Sequence, residues 1–207
     1  MANVAFSNLH DQVLPYLPGA EKGIVDFQIR KVVREFMKRT TIIRETFTFN
    51  TVGGASTYLL TPASPDFQVS SIIAVWVDGK LVDPIPEDKR LRAASGPPKG
   101  WWTSIPHLLN IYPQPDAGYA VEVNAALSLT QTATLMPEEL IAQYAEAIAA
   151  GTLATMMGMP GKPWTQSQSA KEAGRTFAGV IKTIRGNLRD GGQPNQSTFQ
   201  AARRFGV

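Results

Sequence analysis

Residues 135–164 read LMPEELIAQYAEAIAAGTLATMMGMPGKPW, and this stretch decides the fold class. Pro137 suits a first helical turn, where its missing N–H removes a donor that has no partner inside the helix. Glu138 and Glu139 then set negative charge at the positive end of the helix dipole. Leu140, Tyr144, Ile148 and Met156 supply bulk, whereas Ala142, Ala145, Ala147, Ala149, Ala150, Gly151 and Ala154 leave so little side chain that other helices can approach on more than one side. Gly158 suits the left-handed C-terminal position, and Pro160 and Pro163 prevent continuation. Trp164 is expected to lock the turn into the next helix.

That next helix has Thr165 as its expected N-cap and Gln168 three residues on, the spacing of a capping box. Ala170, Ala173, Phe177, Val180, Ile181, Ile184 and Leu188 form its apolar stripe, and Lys171, Arg175, Lys182 and Arg189 fall on a roughly opposite face. Gly191 and Gly192 end it, and 193–207 is a polar tail holding Phe199 and Phe205. Upstream, 7–17 reads as a short helix perturbed by Pro15 and ended by Pro18-Gly19. From Glu21 to Arg39 a longer helix repeats Val25, Ile29, Val32, Val33, Phe36 and Met37 at three- and four-residue steps, with Asp26–Arg30 and Glu35–Arg39 as favourable pairs on its wet face.

Beyond Thr41 the period becomes two. Glu45 to Phe49 alternates, Tyr58 to Leu60 and Val69 to Val77 are rich in strand formers, and Asp78-Gly79 is a strong hairpin signal leading into Lys80 to Val82. Pro84, Pro86, Pro97 and Pro98 punctuate a long loop, after which His107 to Tyr112 and Tyr119 to Leu129 read as a strand pair joined by the 113–118 turn. The expected fold is α+β: a helical bundle from 1–41 and 132–189, an inserted antiparallel β domain at 42–131, and an extended C-terminal arm at 190–207.

A chain of 207 residues can bury a sizeable core, and 43% hydrophobic with 18% charged residues excludes a disordered composition. Having no cysteine, the chain has no disulfide, thiolate metal site or cysteine nucleophile, and it fits assembly in a reducing cytoplasm. The N-terminus MANVAFSNLHDQ has neither a basic region nor a long apolar run, and no window approaches bilayer length, so export and membrane insertion are not expected. Net charge is +3, but residues 166–207 hold seven Lys or Arg against Glu172 and Asp190, a balance of +5 that leaves −2 for residues 1–165. A basic segment of this kind can meet nucleic acid or an acidic protein surface, or can simply be solvated.

The sequence holds few candidates for chemistry. His10 and His107 are the only histidines and lie far apart in sequence, with no metal-binding or relay motif and no visible partner. Asp83, Glu87 and Asp88 sit among prolines and read as an exposed loop, and Gly53-Gly54 lacks the following helix that a phosphate-cradling loop needs. Trp101-Trp102 points to opposite faces of an extended segment, which fits core or subunit contact first and a sugar platform second. No catalytic, cofactor-binding or metal-binding residue is expected. The basic helix has no helix-turn-helix spacing or zinc-ligand set with which to read bases.

VLPYLPGA (Val13 to Ala20), REFMKRT (Arg34 to Thr40), the VDG turn (Val77 to Gly79), YPQP (Tyr112 to Pro115) and the stretch quoted first together form an order of elements that resembles the head-to-tail adaptor proteins of short-tailed bacteriophages. The resemblance covers nearly the whole chain. It implies a non-enzymatic virion protein, made in the host cytoplasm and placed at the head-tail junction. Such a protein forms a homo-oligomeric ring, commonly a dodecamer, between the portal protein and the tail nozzle or tubular tail protein, and DNA passes through it. Ala149, Gly151 and Ala154 are then the expected subunit-packing positions. Phe199, Arg203, Arg204 and Phe205 belong to a portal-docking arm, and Lys171, Arg175, Lys182 and Arg189 form the basic face. The alternative reading is a carbohydrate-binding or host-attachment tail module.

Overall fold

The computed structural model describes residues 2–86 and 94–189. In chain order the elements are β1 (Asn3–Ala5), α1 (His10–Val13), α2 (Lys22–Thr40), β2 (Arg44–Asn50), β3 (Thr57–Leu59), β4 (Phe67–Val77), β5 (Lys80–Pro84), β6 (Gly100–Thr103), β7 (Leu108–Tyr112), β8 (Ala120–Leu129), β9 (Leu135–Pro137), α3 (Glu138–Met157) and α4 (Ser167–Arg189), with 3-10 turns at Phe6–Leu9 and Leu14–Tyr16. They divide between two compact units. One joins the segment ending at Thr40 to the segment starting at Leu135, and the other is Thr41–Thr134.

In the first unit, α3 packs against both α2 and α4. The reason is visible at Gly151, where an added Cβ would lie 2.7 Å from Val32 Cγ1 of α2 and 2.8 Å from Phe177 Cδ2 of α4. Around that contact Phe36 is fully buried, its ring 5.3 Å from Tyr144 and 6.1 Å from Phe177 between centroids. The α2 stripe of Val25, Ile29, Val32, Val33, Phe36 and Met37 is buried throughout. Residue Tyr144 interrupts α3 with non-helical angles (φ −133°, ψ 18°). Pro137 stands one residue before the first turn, as the last residue of β9, which pairs antiparallel with β1 through Val4 and Met136.

The turn between α3 and α4 is closed by Thr165, whose hydroxyl donates to the Met159 carbonyl (2.6 Å) and accepts the Lys162 N–H (3.0 Å). Thr165 is therefore engaged in the turn and does not form the expected capping box; the Gln168 amide instead donates to Glu172 Oε1 (2.9 Å). Trp164 is buried in this turn, 6% exposed.

The second unit is a seven-stranded sheet in the order β2-β8-β4-β5-β6-β7-β3. Strand β8, between β2 and β4, alternates at first, with Val121 and Val123 buried, and is then buried throughout from Ala125 to Leu129. Asp78 and Gly79 both take positive φ (47° and 74°), the type I′ geometry of a two-residue hairpin, and join β4 to β5. Register shifts in β4 at Val69/Ser71 and Ile72/Ala74 curl the sheet. Strands β5 and β6 run parallel, Asp83 opposite Gly100, and a Cβ on Gly100 would lie 2.7 Å from the Asp83 carbonyl oxygen and 2.6 Å from Ile85 Cγ1. Glycine permits that approach.

This architecture overturns the expectation of a helical bundle carrying an inserted antiparallel β domain. Nine strands in two sheets stand beside four α-helices among the described residues, one of them only four residues long. The larger sheet is mixed because of the parallel β5–β6 pair, and the helical unit carries a strand pair of its own. The expected helix at 7–17 is instead a chain of short turns, since Pro15 cannot donate to a continuing helical ladder. The expected pairing of 107–112 with 119–129 does not form either. Between β7 and β8 lie β4, β5 and β6: β8 pairs along β2 and β4, both longer than β7, whereas β7 pairs along the short β6 and β3. The expected C-terminal arm at 190–207 lies outside the described residues.

Candidate functional site

At 100° per residue, Lys171, Arg175, Ala178, Lys182, Arg185 and Arg189 of α4 fall within an arc of about 80°. Five of these six positions are cationic and exposed, and the only acid in α4, Glu172, lies to one side of the arc. The apolar side chains Phe177, Ile181 and Ile184 face the core. Helix α4 thus keeps packing and charge on separate faces. Near its C-terminal end a groove of about 430 Å³ is lined by Ala178, Ile181, Lys182, Arg185, Gly186 and Arg189, with Arg39 of α2. Arg39 Nη1 also donates to Glu35 Oε1 at 2.9 Å, an i,i+4 pair on the exposed face of α2. Cations at the ends of α2 and α4 are favoured there by the helix dipoles.

Of the basic positions expected from the sequence, Lys182 and Arg189 line this groove; Lys171 and Arg175 continue the stripe toward the helix start. Sequence reasoning left Arg185 out of the face. Its spacing, three residues after Lys182 and four before Arg189, is the signal that places it there. Phe199, Arg203, Arg204 and Phe205, expected in the docking arm, lie outside the described residues. Ala149 and Gly151 are buried within the unit, and Ala154 is half-buried with its Cβ facing Gly174 of α4. The close approach at Gly151 and Ala154 is made between helices of one chain.

The other expected residues do not converge. His10 has a partner that sequence reasoning missed: its Nε2 lies 2.7 Å from Asp26 Oδ1. Asp26 is thereby drawn to His10, and the Arg30 guanidinium carbon lies 5.3 Å from the Phe6 ring centroid. His107 is exposed, its carbonyl accepting the Leu60 N–H at 2.8 Å. Gly54 takes φ 84° in a turn, its N–H donating to the Pro115 carbonyl. Trp101 and Trp102 are both half-buried, and the Trp101 indole N–H donates to the Val82 carbonyl at 3.0 Å. Among the described residues no group of three His, Cys, Asp or Glu could hold a metal ion; Glu87 and Asp88 lie outside them.

A second recess, of about 380 Å³, opens on the sheet. Register sets Thr48, Glu122 and Trp76 side by side on β2, β8 and β4, and Asn50 and Gly79 complete the rim. Nearby, the Tyr119 hydroxyl donates to Asp116 Oδ1 at 2.7 Å; that hydrogen bond, with some desolvation and the negative charge of Asp116 and Asp78, raises the phenol pKa above its usual value. No described helix is long and apolar enough to cross a membrane. Compared with known proteins, the chain matches no family model and no curated protein.

Proposed function

We propose that the chain is a non-catalytic assembly subunit of a phage virion: a head-to-tail adaptor that forms a ring, a dodecamer, between the portal protein and the tail nozzle or tail tube, with DNA passing through. The observation that carries this reading is exposed apolar surface on both units. Tyr16 is 57% exposed, Ile24 and Phe27 stand three residues apart on α2 at 42% and 50%, and Val52, Leu59 and Leu81 each exceed 60%. Ile24 and Phe27 lie one turn apart on one face of α2, an adjacent apolar pair of the kind through which surfaces associate. The test is light scattering and electron microscopy of the purified protein with and without its portal. Rings, alone or on the portal, are the expected result; a monomer with no affinity for a portal refutes the adaptor.

The sheet recess gives the carbohydrate-binding alternative its best support. An indole beside a carboxylate, an amide and a hydroxyl is the chemistry of saccharide recognition, and Trp76, Glu122, Asn50 and Thr48 supply it. Trp101 is a poorer platform, its indole N–H being engaged by the Val82 carbonyl. Binding of glycans by a portal-indifferent monomer, lost in Trp76→Ala, would establish that module.

A further inference from the structure

We propose that the cationic stripe of α4 grips the phosphate backbone of duplex DNA without reading its sequence. This rests on the adaptor reading for its setting and adds the residues that meet the nucleic acid. From Lys171 to Arg189 the stripe runs about 27 Å at the helical rise of 1.5 Å per residue. Over that length B-form DNA presents roughly 16 phosphate charges, one per 1.7 Å of axis. Spacings of three or four residues from Lys171 to Arg175, Lys182 to Arg185 and Arg185 to Arg189 put these neighbours about 4.5–6 Å apart along the axis, close enough to engage successive backbone phosphates, with a gap of about 10.5 Å between Arg175 and Lys182.

Arg175, Arg185 and Arg189 make three of the five cations guanidinium groups, whose planar forks suit phosphate and carboxylate oxygens alike. Two features favour phosphate over an acidic protein surface. The side chain between the cations is the small Ala178, so the stripe lacks the aromatic or large apolar anchor that holds the centre of a protein interface. The bulky apolar side chains Phe177, Ile181 and Ile184 are spent on the core of the unit. The absence of an aromatic on the stripe also argues for duplex, since single strands are held by base stacking. The stripe holds no Asn or Gln with which to recognise adenine, and no helix-turn-helix spacing sets its arginines against guanine edges. Arg39 lines the groove beside the three last cations and adds a contact from a second helix.

The experiment measures binding of the full chain to a fluorescent DNA duplex by anisotropy across a salt series. Each neutralised phosphate contributes about −0.9 to the slope of log affinity against log salt, so the five-cation stripe accounts for about 500-fold of affinity between about 50 and 200 mM salt. The variant combining Lys182→Gln, Arg185→Gln and Arg189→Gln keeps good helix formers at exposed positions, and circular dichroism verifies its fold. Its slope is expected to be shallower by about 2.7, equally for duplexes of different sequence. Arg203 and Arg204 are common to both proteins, so the difference belongs to the stripe. An unchanged slope, no duplex binding at about 50 mM salt, or tighter binding of polyglutamate than of duplex at equal charge overturns the proposal. Rings that form on a portal with an unchanged slope refute DNA gripping alone. The expected slope change in a chain that never joins a portal supports gripping and refutes the adaptor.

Discussion

Replacing glycine by alanine should have opposite effects at two places in the helical unit. In a helix interior the exchange favours folding by about 1 kcal/mol, because alanine loses less backbone freedom. At Gly179 and Gly186 of α4 an added Cβ meets nothing within 4 Å, so Gly179→Ala and Gly186→Ala should each stabilise by about 0.5–1 kcal/mol. At Gly151 the same methyl would press on Val32 Cγ1 at 2.7 Å and on two ring carbons of Phe177 at 2.8 and 3.0 Å. Neither neighbour can swing into solvent: Val32 is a branched side chain 4% exposed, and Phe177 is 8% exposed. Overpacking of this kind costs about 1–3 kcal/mol, which leaves Gly151→Ala destabilised by up to about 2 kcal/mol after the helical gain. For a chain of this size each kcal/mol corresponds to about 2–4 °C in melting temperature. Thermal and urea unfolding of the unassembled protein, followed by far-ultraviolet circular dichroism, should therefore separate Gly151→Ala from the other two by several degrees. If Gly151→Ala proves as stable as Gly179→Ala, the close contact of α3 with α2 and α4 is wrong.

Trp164→Ala should cost about 3–5 kcal/mol in denaturant unfolding, since the indole is buried under the α3–α4 turn; a loss below about 1 kcal/mol would deny it that role. Gly100→Ala should destabilise the sheet by about 1–3 kcal/mol, because the Asp83 backbone oxygen has no rotamer with which to yield; unchanged unfolding would rule out the tight parallel approach. In a double-mutant cycle, His10→Ala and Asp26→Asn should couple by about 1 kcal/mol, and additive effects would show that their contact contributes nothing. Ultraviolet titration should find Tyr119 holding its proton above the usual tyrosine range, and Asp116→Asn should lower that value. The stability linked to this raised pKa is fully present below tyrosine's ordinary ionisation and is lost as pH rises through the folded-state value.

Local periodicity was readable where one element faces one core. The α2 stripe from Val25 to Met37 and the Asp78-Gly79 hairpin follow directly from residue spacing, as does the i,i+4 pair Glu35–Arg39. Long-range partnership was not readable. The 113–118 turn announces a change of direction without saying which strand lies alongside, so β7 and β8 look adjacent in sequence and are separated in the sheet. Gly100 carries no local mark of its role, which exists only because Asp83 and Ile85 arrive beside it. Asp26 could satisfy Arg30 on its own helix or His10 from an earlier turn, and the sixteen-residue separation hides the second choice. The cationic arc of α4 was largely readable because a helix maps spacing onto a face; the contribution of Arg39 to its groove required a second helix to be set in place.

Strand β1 and helix α2 belong to the same unit as β9, α3 and α4, yet 94 residues, Thr41–Thr134, separate the two halves in the chain. At a synthesis rate of about 5–20 residues per second, α2 leaves the ribosome about 5–20 s before the helix that covers Val32 and Phe36 has been made. During that interval its apolar stripe has no native partner, while the sheet residues emerge as one uninterrupted segment. The second unit can therefore be completed first, and the first unit must keep its early half soluble in the meantime. Slowing elongation within 41–134 should lengthen that exposure and increase recovery of nascent chains with chaperones, whereas the same delay placed after Arg189 should have little effect.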